Sequence, residues 1–199
     1  MKLSSSFSLA IKHAAALERL LQSGRFVEDI DAAQLKKLGA EAVILDHDGV
    51  LGPSFSFTPD QAGLEFLNAL AEAFGQSRLF VLSNTRSRRN SREKAYRENL
   101  PGITYIKARR KPDPEGLLIA SRVSGLPKKK IAVVDDGILT GILMAVENGA
   151  IPVYVTRKRL DESLAAKCFR LGTTWSQIAL THTAWLISRI SRRRGDQSL

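Results

Sequence analysis

Asp46-His47-Asp48 directly follows the apolar run Ala42-Val43-Ile44-Leu45 and precedes Gly49. Two carboxylates therefore lie where a buried strand ends, and Gly49 lets the chain turn. Three more polar signals follow apolar runs: Ser83-Asn84 after Phe80-Val81-Leu82, Lys111 at the head of Lys-Pro-Asp-Pro, and Asp135-Asp136 after Val133-Val134. Converging acids without His or Cys favour a hard cation such as Mg²⁺. A Ser hydroxyl and a Lys ammonium can hold phosphoryl oxygens and stabilise charge building on them. One Asp can form an aspartyl-phosphate. A second Asp, two residues on, can protonate the leaving oxygen and then activate water. The set makes sense as a phosphoryl-transfer site. A calcium loop fits poorly, because Val50 takes the fifth position and no Glu closes the twelfth.

The elements that must position these groups can be read from patterning. Apolar runs at Ala42–Leu45, Leu79–Leu82, Ile103–Ile106, Ile131–Val134 and Ile151–Val155 read as strands. Thr58-Pro59-Asp60-Gln61 reads as a capping box opening a helix to about Phe74. Asp113-Pro114 opens another, to Ser124, with Gly125 as its stop, and Thr140 to Asn148 a third, ended by Gly149. Strands alternating with helices predict an α/β fold, a Rossmann-like parallel sheet flanked by helices. Each polar signal then falls at a strand's carboxyl end, where such sheets form one crevice. Residues 1–40 read as a helical lead-in, 41–156 as the core and 157–199 as a basic helical tail. Strand alternation points His47 away from its acidic neighbours and into a structural role. His13 and His182 read as lone residues on apolar-periodic segments. Trp175 and Trp185 read as packing the tail onto the domain. Cys168 reads as an ordinary helix residue; as the single Cys it excludes an internal disulfide and fits a reducing compartment.

The order Asp46-x-Asp48-Gly49-Val50, Leu82-Ser83-Asn84, Lys111-Pro112, Asp135-Asp136 resembles the four motifs of the haloacid dehalogenase (HAD) phosphatase superfamily, over about residues 41–156. That resemblance implies Asp46 as nucleophile and Asp48 as general acid/base. It implies phosphate binding by Ser83 and Lys111, with Asn84 beside them. It implies Mg²⁺ held by Asp46, the main chain of Asp48 and an acid of the fourth motif, Asp135 or Asp136. The layout is also similar to the YqeG-like subfamily IIIA, whose members include phosphatidylglycerophosphate phosphatases. That subfamily usually carries Gly-Asp-x-x-x-Thr-Asp in the fourth motif. Here the register through Thr140 puts Asp135 at the Gly position and Gly141 at the second acid, which favours Asp136 as the metal ligand. Gly49 also stands where the subfamily commonly has Asn.

The gaps between the motifs are too short for an independent cap, so the site is expected to be capless and open. An open site suits a large or surface-bound substrate. The formal charge of +10 points to an anionic partner. Arg86, Arg88, Arg89, Arg109 and Arg110 are expected to rim the crevice. Residues 157–199 hold nine Lys and Arg against Asp161, Glu162 and Asp196, and Trp185, Leu186, Ile187 and Ile190 precede Arg192-Arg193-Arg194. This reads as a basic amphipathic helix that lies on an anionic membrane, formed after about Thr174. The longest uncharged stretch, Leu171 to Ser188, is too polar to span a bilayer. Lys12, Glu18 and Arg19 argue against a cleaved signal, and Glu18 also against a transit peptide. The reading is a Mg²⁺-dependent phosphomonoesterase at the inner membrane face, cytoplasmic and peripheral, acting on phosphatidylglycerophosphate. The rivals are a soluble phosphatase for a protein, nucleotide or sugar phosphate, and an inactive basic module that binds membrane or nucleic acid. No specific nucleic-acid partner is expected.

Overall fold

The computed structural model describes residues 3–84, 89–158 and 163–195. Its centre is a six-stranded, all-parallel sheet. The strands are β1 (Arg25–Phe26), β2 (Ala42–Leu45), β3 (Leu79–Val81), β4 (Thr104–Tyr105), β5 (Ile131–Asp135) and β6 (Ile151–Thr156), in the order β1-β6-β5-β2-β3-β4. The helices are α1 (Leu3–Lys12), α2 (Ala14–Gln22), α3 (Ala32–Lys37), α4 (Gln61–Phe74), α5 (Arg89–Asn99), α6 (Glu115–Ser124), α7 (Leu143–Asn148) and α8 (Leu164–Gly195).

The central strands are apolar on both faces because helices cover both. Val43, Leu45, Val81 and Val134 pack with Leu67 and Leu70 of α4 and Tyr96 of α5. Ile44, Phe80 and Val133 face the other way, onto Leu117 and Ala120 of α6 and Met144 of α7. A third cluster joins Leu17 of α2 to Ile138, Ile142 and Ala184, and α1 and α2 both pack along α8. β2 lies between β3 and β5, with Leu45 in register with both Val81 and Val134. The carboxyl ends of these three strands therefore stand side by side.

Several local expectations change. The cap of α4 is Asp60, not Thr58: its carboxylate accepts from Gly63 N at 2.8 Å. Asp60 also holds Arg157 Nη1 at 3.0 Å, and Arg157 is buried rather than part of an exposed basic tail. The segment after Gly137 starts as a π-helix over Ile138–Ile142 before α7. β1 adds an edge strand inside the lead-in, too short to show a pattern. α8 begins ten residues before Thr174. Trp175 is 68% exposed and does not pack the tail onto the domain, while Trp185 is partly buried under the Arg189 guanidinium, 4.7 Å from its ring. His13 and His182 are not lone residues: His13 pairs with Glu147, and His182 with Glu18 at 3.1 Å. Cys168 sits exposed on α8.

Candidate active site

Asp46 is fixed by its backbone, whose N–H donates to Val134 O at 3.0 Å, so the nucleophile candidate is an extension of the sheet. Lys111 Nζ reaches in from the loop between β4 and α6. It donates to Leu82 O at 2.9 Å and to Asp135 Oδ2 at 2.5 Å, and it stands 2.8 Å from Asp46 Oδ1. That last contact is an ion pair out of hydrogen-bond alignment: Oδ1 is buried and accepts no hydrogen bond among the described residues. Burial pushes the Asp46 carboxyl up to about 7, with Asp135 and Asp48 adding to it and Lys111 opposing. Burial also pulls at Lys111, but Asp135 and Asp46 outweigh it and hold its ammonium firmly charged.

Asp135 is fully engaged. Besides Lys111, it accepts from Gly137 N at 2.7 Å, and Thr140 Oγ1 stands 3.5 Å away. A Cβ at Gly141 would lie 1.9 Å from Asp135 Oδ2. The carboxylate from the end of β5 thus fills the space beside the position where the subfamily pattern has its second acid. Asp136 is different, with no hydrogen-bond donor on its carboxylate among the described residues. Burial, then Asp46 and Asp135, push it well above the usual range. A Cβ at Gly49 would meet Asp136 Oδ2 at 2.1 Å, and Gly49 has φ +83°. Both facts make glycine the residue that fits there.

Asp48 points away from this cluster into a guanidinium fork. Arg92 of α5 donates from Nη2 to Asp48 Oδ1 at 2.6 Å and from Nη1 to Oδ2 at 2.8 Å. Ser83 Oγ donates to Oδ2 at 3.0 Å and Phe55 N to Oδ1 at 3.0 Å. Burial would raise the Asp48 carboxyl, but Arg92 outweighs it and holds it well below the usual carboxylate range. Arg92 is completely buried; it also donates to Ser83 Oγ at 2.7 Å and, through Nε, to Ser56 O at 2.7 Å. Sequence reading missed it, because one Arg in the basic, polar stretch after Ser83 looks like a solvated charge. His47 has its structural place, with its ring nitrogens 2.8 Å from Tyr96 Oη and from Ser56 Oγ. Burial and then Arg92 push it down to about 3, so it stays neutral.

The structure thus gathers Asp46, Lys111, Asp135 and Asp136 in one cluster and places Ser83 with Asp48 and Arg92 beside it. Asn84 meets Lys111 through the main chain, its Oδ1 accepting from Lys111 N at 2.7 Å. One carboxylate oxygen from each of Asp46, Asp135 and Asp136 can lie within 4.8 Å of the others. The crevice over them encloses about 480 Å³ and is lined also by Phe55, Arg110, Phe169 and Arg170. Among the described residues no cap is inserted, yet α8 forms part of the wall, and the Phe169 and Phe55 rings stand 5.2 Å apart. Phe55 holds φ +71°, a strained conformation for an aromatic residue. Of the expected rim cations, Arg110 lines the crevice, whereas Arg109 pairs with Asp113 at 3.5 Å. Arg86 and Arg88, and the side chain of Arg89, lie outside the described residues.

The profile of one protein family, mitochondrial PGP phosphatase, matches residues 21–158, more than half of the chain. The chain belongs to this family. It is a HAD-type phosphatase, and PGP stands for the phosphatidylglycerophosphate of the sequence reading. Residues 21–158 run from the end of α2 through β6, so the match holds every motif of the PGP phosphatase site but stops before α8. No curated protein matches the chain. Three solved structures resemble it distantly. An uncharacterised protein from Corynebacterium glutamicum is 23% identical, with a TM-score of 0.44, covering 68% of this chain and 96% of that one. A HAD family hydrolase from Deinococcus radiodurans, with bound phosphate and sodium, is 18% identical, with a TM-score of 0.41, covering 68% and 90%. A HAD family enzyme from Bacteroides thetaiotaomicron, in complex with magnesium and inorganic phosphate, is 15% identical, with a TM-score of 0.38, covering 64% and 98%.

Proposed function

We propose that this chain hydrolyses phosphatidylglycerophosphate to phosphatidylglycerol at an anionic membrane surface, with Mg²⁺ and an aspartyl-phosphate intermediate. The observation that carries the reading is the buried Asp46 carboxylate at the end of the central strand, its Oδ1 held in an ion pair with Lys111. Asp46 attacks phosphorus, and the bond to the leaving glycerol oxygen breaks. Asp48 gives that oxygen its proton, then takes one from the water that hydrolyses the aspartyl-phosphate. To act as the acid, Asp48 must leave the Arg92 fork and turn toward Asp46; as held, it is in the base form. Lys111 keeps Asp46 oriented and offers positive charge to the incoming phosphoryl oxygens.

The donor set fits a divalent cation. Fully ionised, Asp46, Asp135 and Asp136 would set three negative charges against the single ammonium of Lys111, and burial disfavours that for Asp46 and Asp136. A cation held by Asp46 and Asp136 would relieve both and neutralise the substrate phosphate. Asp136 is favoured over Asp135, which is already engaged by Lys111 and Gly137.

The membrane part of the reading finds support in α8. Its packed face carries Ala166, Thr181, Ala184 and Ser188, whereas Leu164, Leu171, Trp175, Leu186 and Ile190 stand exposed. No helix among the described residues is long and apolar enough to cross a membrane. An interfacial helix needs only one apolar face. The side chains of Arg192, Arg193 and Arg194 lie outside the described residues.

The test is phosphate release from phosphatidylglycerophosphate in vesicles. Wild type should turn over with Mg²⁺, stop with EDTA and recover on re-addition. Asp46→Asn should fold normally and be inactive, because a neutral amide cannot serve as the nucleophile. Asp136→Asn should weaken Mg²⁺ binding more than Asp135→Asn does. Turnover confined to soluble phosphate esters would move the reading to a soluble substrate.

A further inference from the structure

Beside the crevice lies a second cavity of about 500 Å³, walled by Phe7 of α1, Pro112, Leu139 of the π-helix and Leu180 of α8. It shares Thr140, Thr173 and Gln177 with the crevice, so the two adjoin along these three residues. Its polar side chains are turned to other work. Thr140 Oγ1 donates to Gly137 O at 3.1 Å, Thr173 Oγ1 to Arg170 O at 2.8 Å and Ser176 Oγ to Thr173 O at 2.8 Å. Gln177 Oε1 accepts from Leu139 N at 2.9 Å. Lys111 Nζ is drawn toward Leu82 O, Asp46 and Asp135, leaving its methylene stem on the cavity side. An occupant therefore meets mainly methyl, methylene and ring carbon. A polar occupant would give up water without regaining hydrogen bonds, whereas a hydrocarbon loses nothing.

We infer that this cavity seats a hydrocarbon segment of an amphiphilic phosphomonoester whose phosphate lies against Asp46. The inference rests on the phosphatase reading and adds a binding site for the apolar part of the leaving alcohol. Continuity with the crevice at Thr140, Thr173 and Gln177 selects this occupant over a second copy of the chain.

The experiment uses full-length protein, Mg²⁺ and monoalkyl phosphates from methyl to decyl below their micelle concentrations, without vesicles. kcat/KM should rise by up to about fourfold per added methylene, then level off once the cavity is full. Leu180→Trp, which narrows the cavity, should flatten that rise; the ratio of decyl to methyl turnover corrects for any loss of folded protein. Calorimetry with decylphosphonate and methylphosphonate gives a readout independent of turnover. The decyl compound should bind more tightly and with a more negative heat-capacity change. Methyl phosphate hydrolysis with no chain-length dependence in turnover or binding would overturn the cavity and leave the phosphatase reading standing. An unchanged rise in Leu180→Trp would also overturn it, by placing the chain elsewhere. No hydrolysis of any ester, with decylphosphonate still preferred, would support the cavity and sink the phosphatase reading instead.

Discussion

Asp135 and Gly141 have traded places relative to the subfamily pattern, and the geometry explains how the trade is tolerated. The Asp135 carboxylate occupies the space a side chain at 141 would need. Gly141→Asp alone should cost about 2 kcal/mol or more, through overpacking and like charge. Asp135→Gly alone removes a buried partner of Lys111 and should cost about 3 kcal/mol. The double variant should recover much of both losses, a non-additivity that chemical denaturation of the four proteins would reveal. Additive losses would mean the two positions do not compensate. Arg92 is the second test at this scale. Arg92→Met leaves Asp48 partly buried without its counter-charge and should lower stability by about 3 kcal/mol; Arg92→Lys should lose less. Asp46, Asp48, Ser83, Lys111 and the Asp135-Asp136 pair were legible because chemistry-bearing residues follow apolar runs. Arg92 was not, since nothing in the sequence separates a buried guanidinium from its solvated neighbours before the partner is known.

Elements with strong periodicity or clear punctuation were equally legible. Gly125 and Gly149 do end α6 and α7 with φ +69° and +68°. The start of α4 was misread because Thr58 and Asp60 are both good caps; the extra partner Arg157, 97 positions away, favours Asp60. Asp60→Ala should therefore cost more than an ordinary cap, about 2 kcal/mol or above, because it also takes from the buried Arg157 guanidinium one of its two carboxylate partners, leaving Glu28 at 3.6 Å. Thr58→Ala should change stability by a few tenths. Thermal unfolding of the two variants side by side decides between the caps. The two-residue β1 and the π-helix carried no local signal, since both follow from packing against β6, α2 and α8.

The charge surplus was visible from composition, but its distribution was not. Arg157 and Lys158, counted with the tail, pair with Asp60 and Asp29. Among its described residues α8 exposes Leu164, Leu171, Trp175, Leu186 and Ile190 as well as Lys167 and Arg189, and the apolar side chains shift the test of membrane binding. Replacing Leu164, Leu171, Trp175 and Leu186 by Ser should release the protein from phosphatidylglycerol vesicles at any salt concentration. Binding lost only at high salt in wild type, and unchanged in the variant, would assign the attraction to charge alone. The clasp of α1 and α2 on α8 also bears on how the chain is made. About 140 residues separate the end of α2 from the start of α8. At ribosomal speeds that interval is on the order of ten seconds. Throughout it Leu17, Leu20 and Leu21 are off the ribosome without the helix that covers them. A nascent chain stalled before Leu164 should therefore recruit a hydrophobic-binding chaperone through its first 22 residues, and release it as α8 emerges.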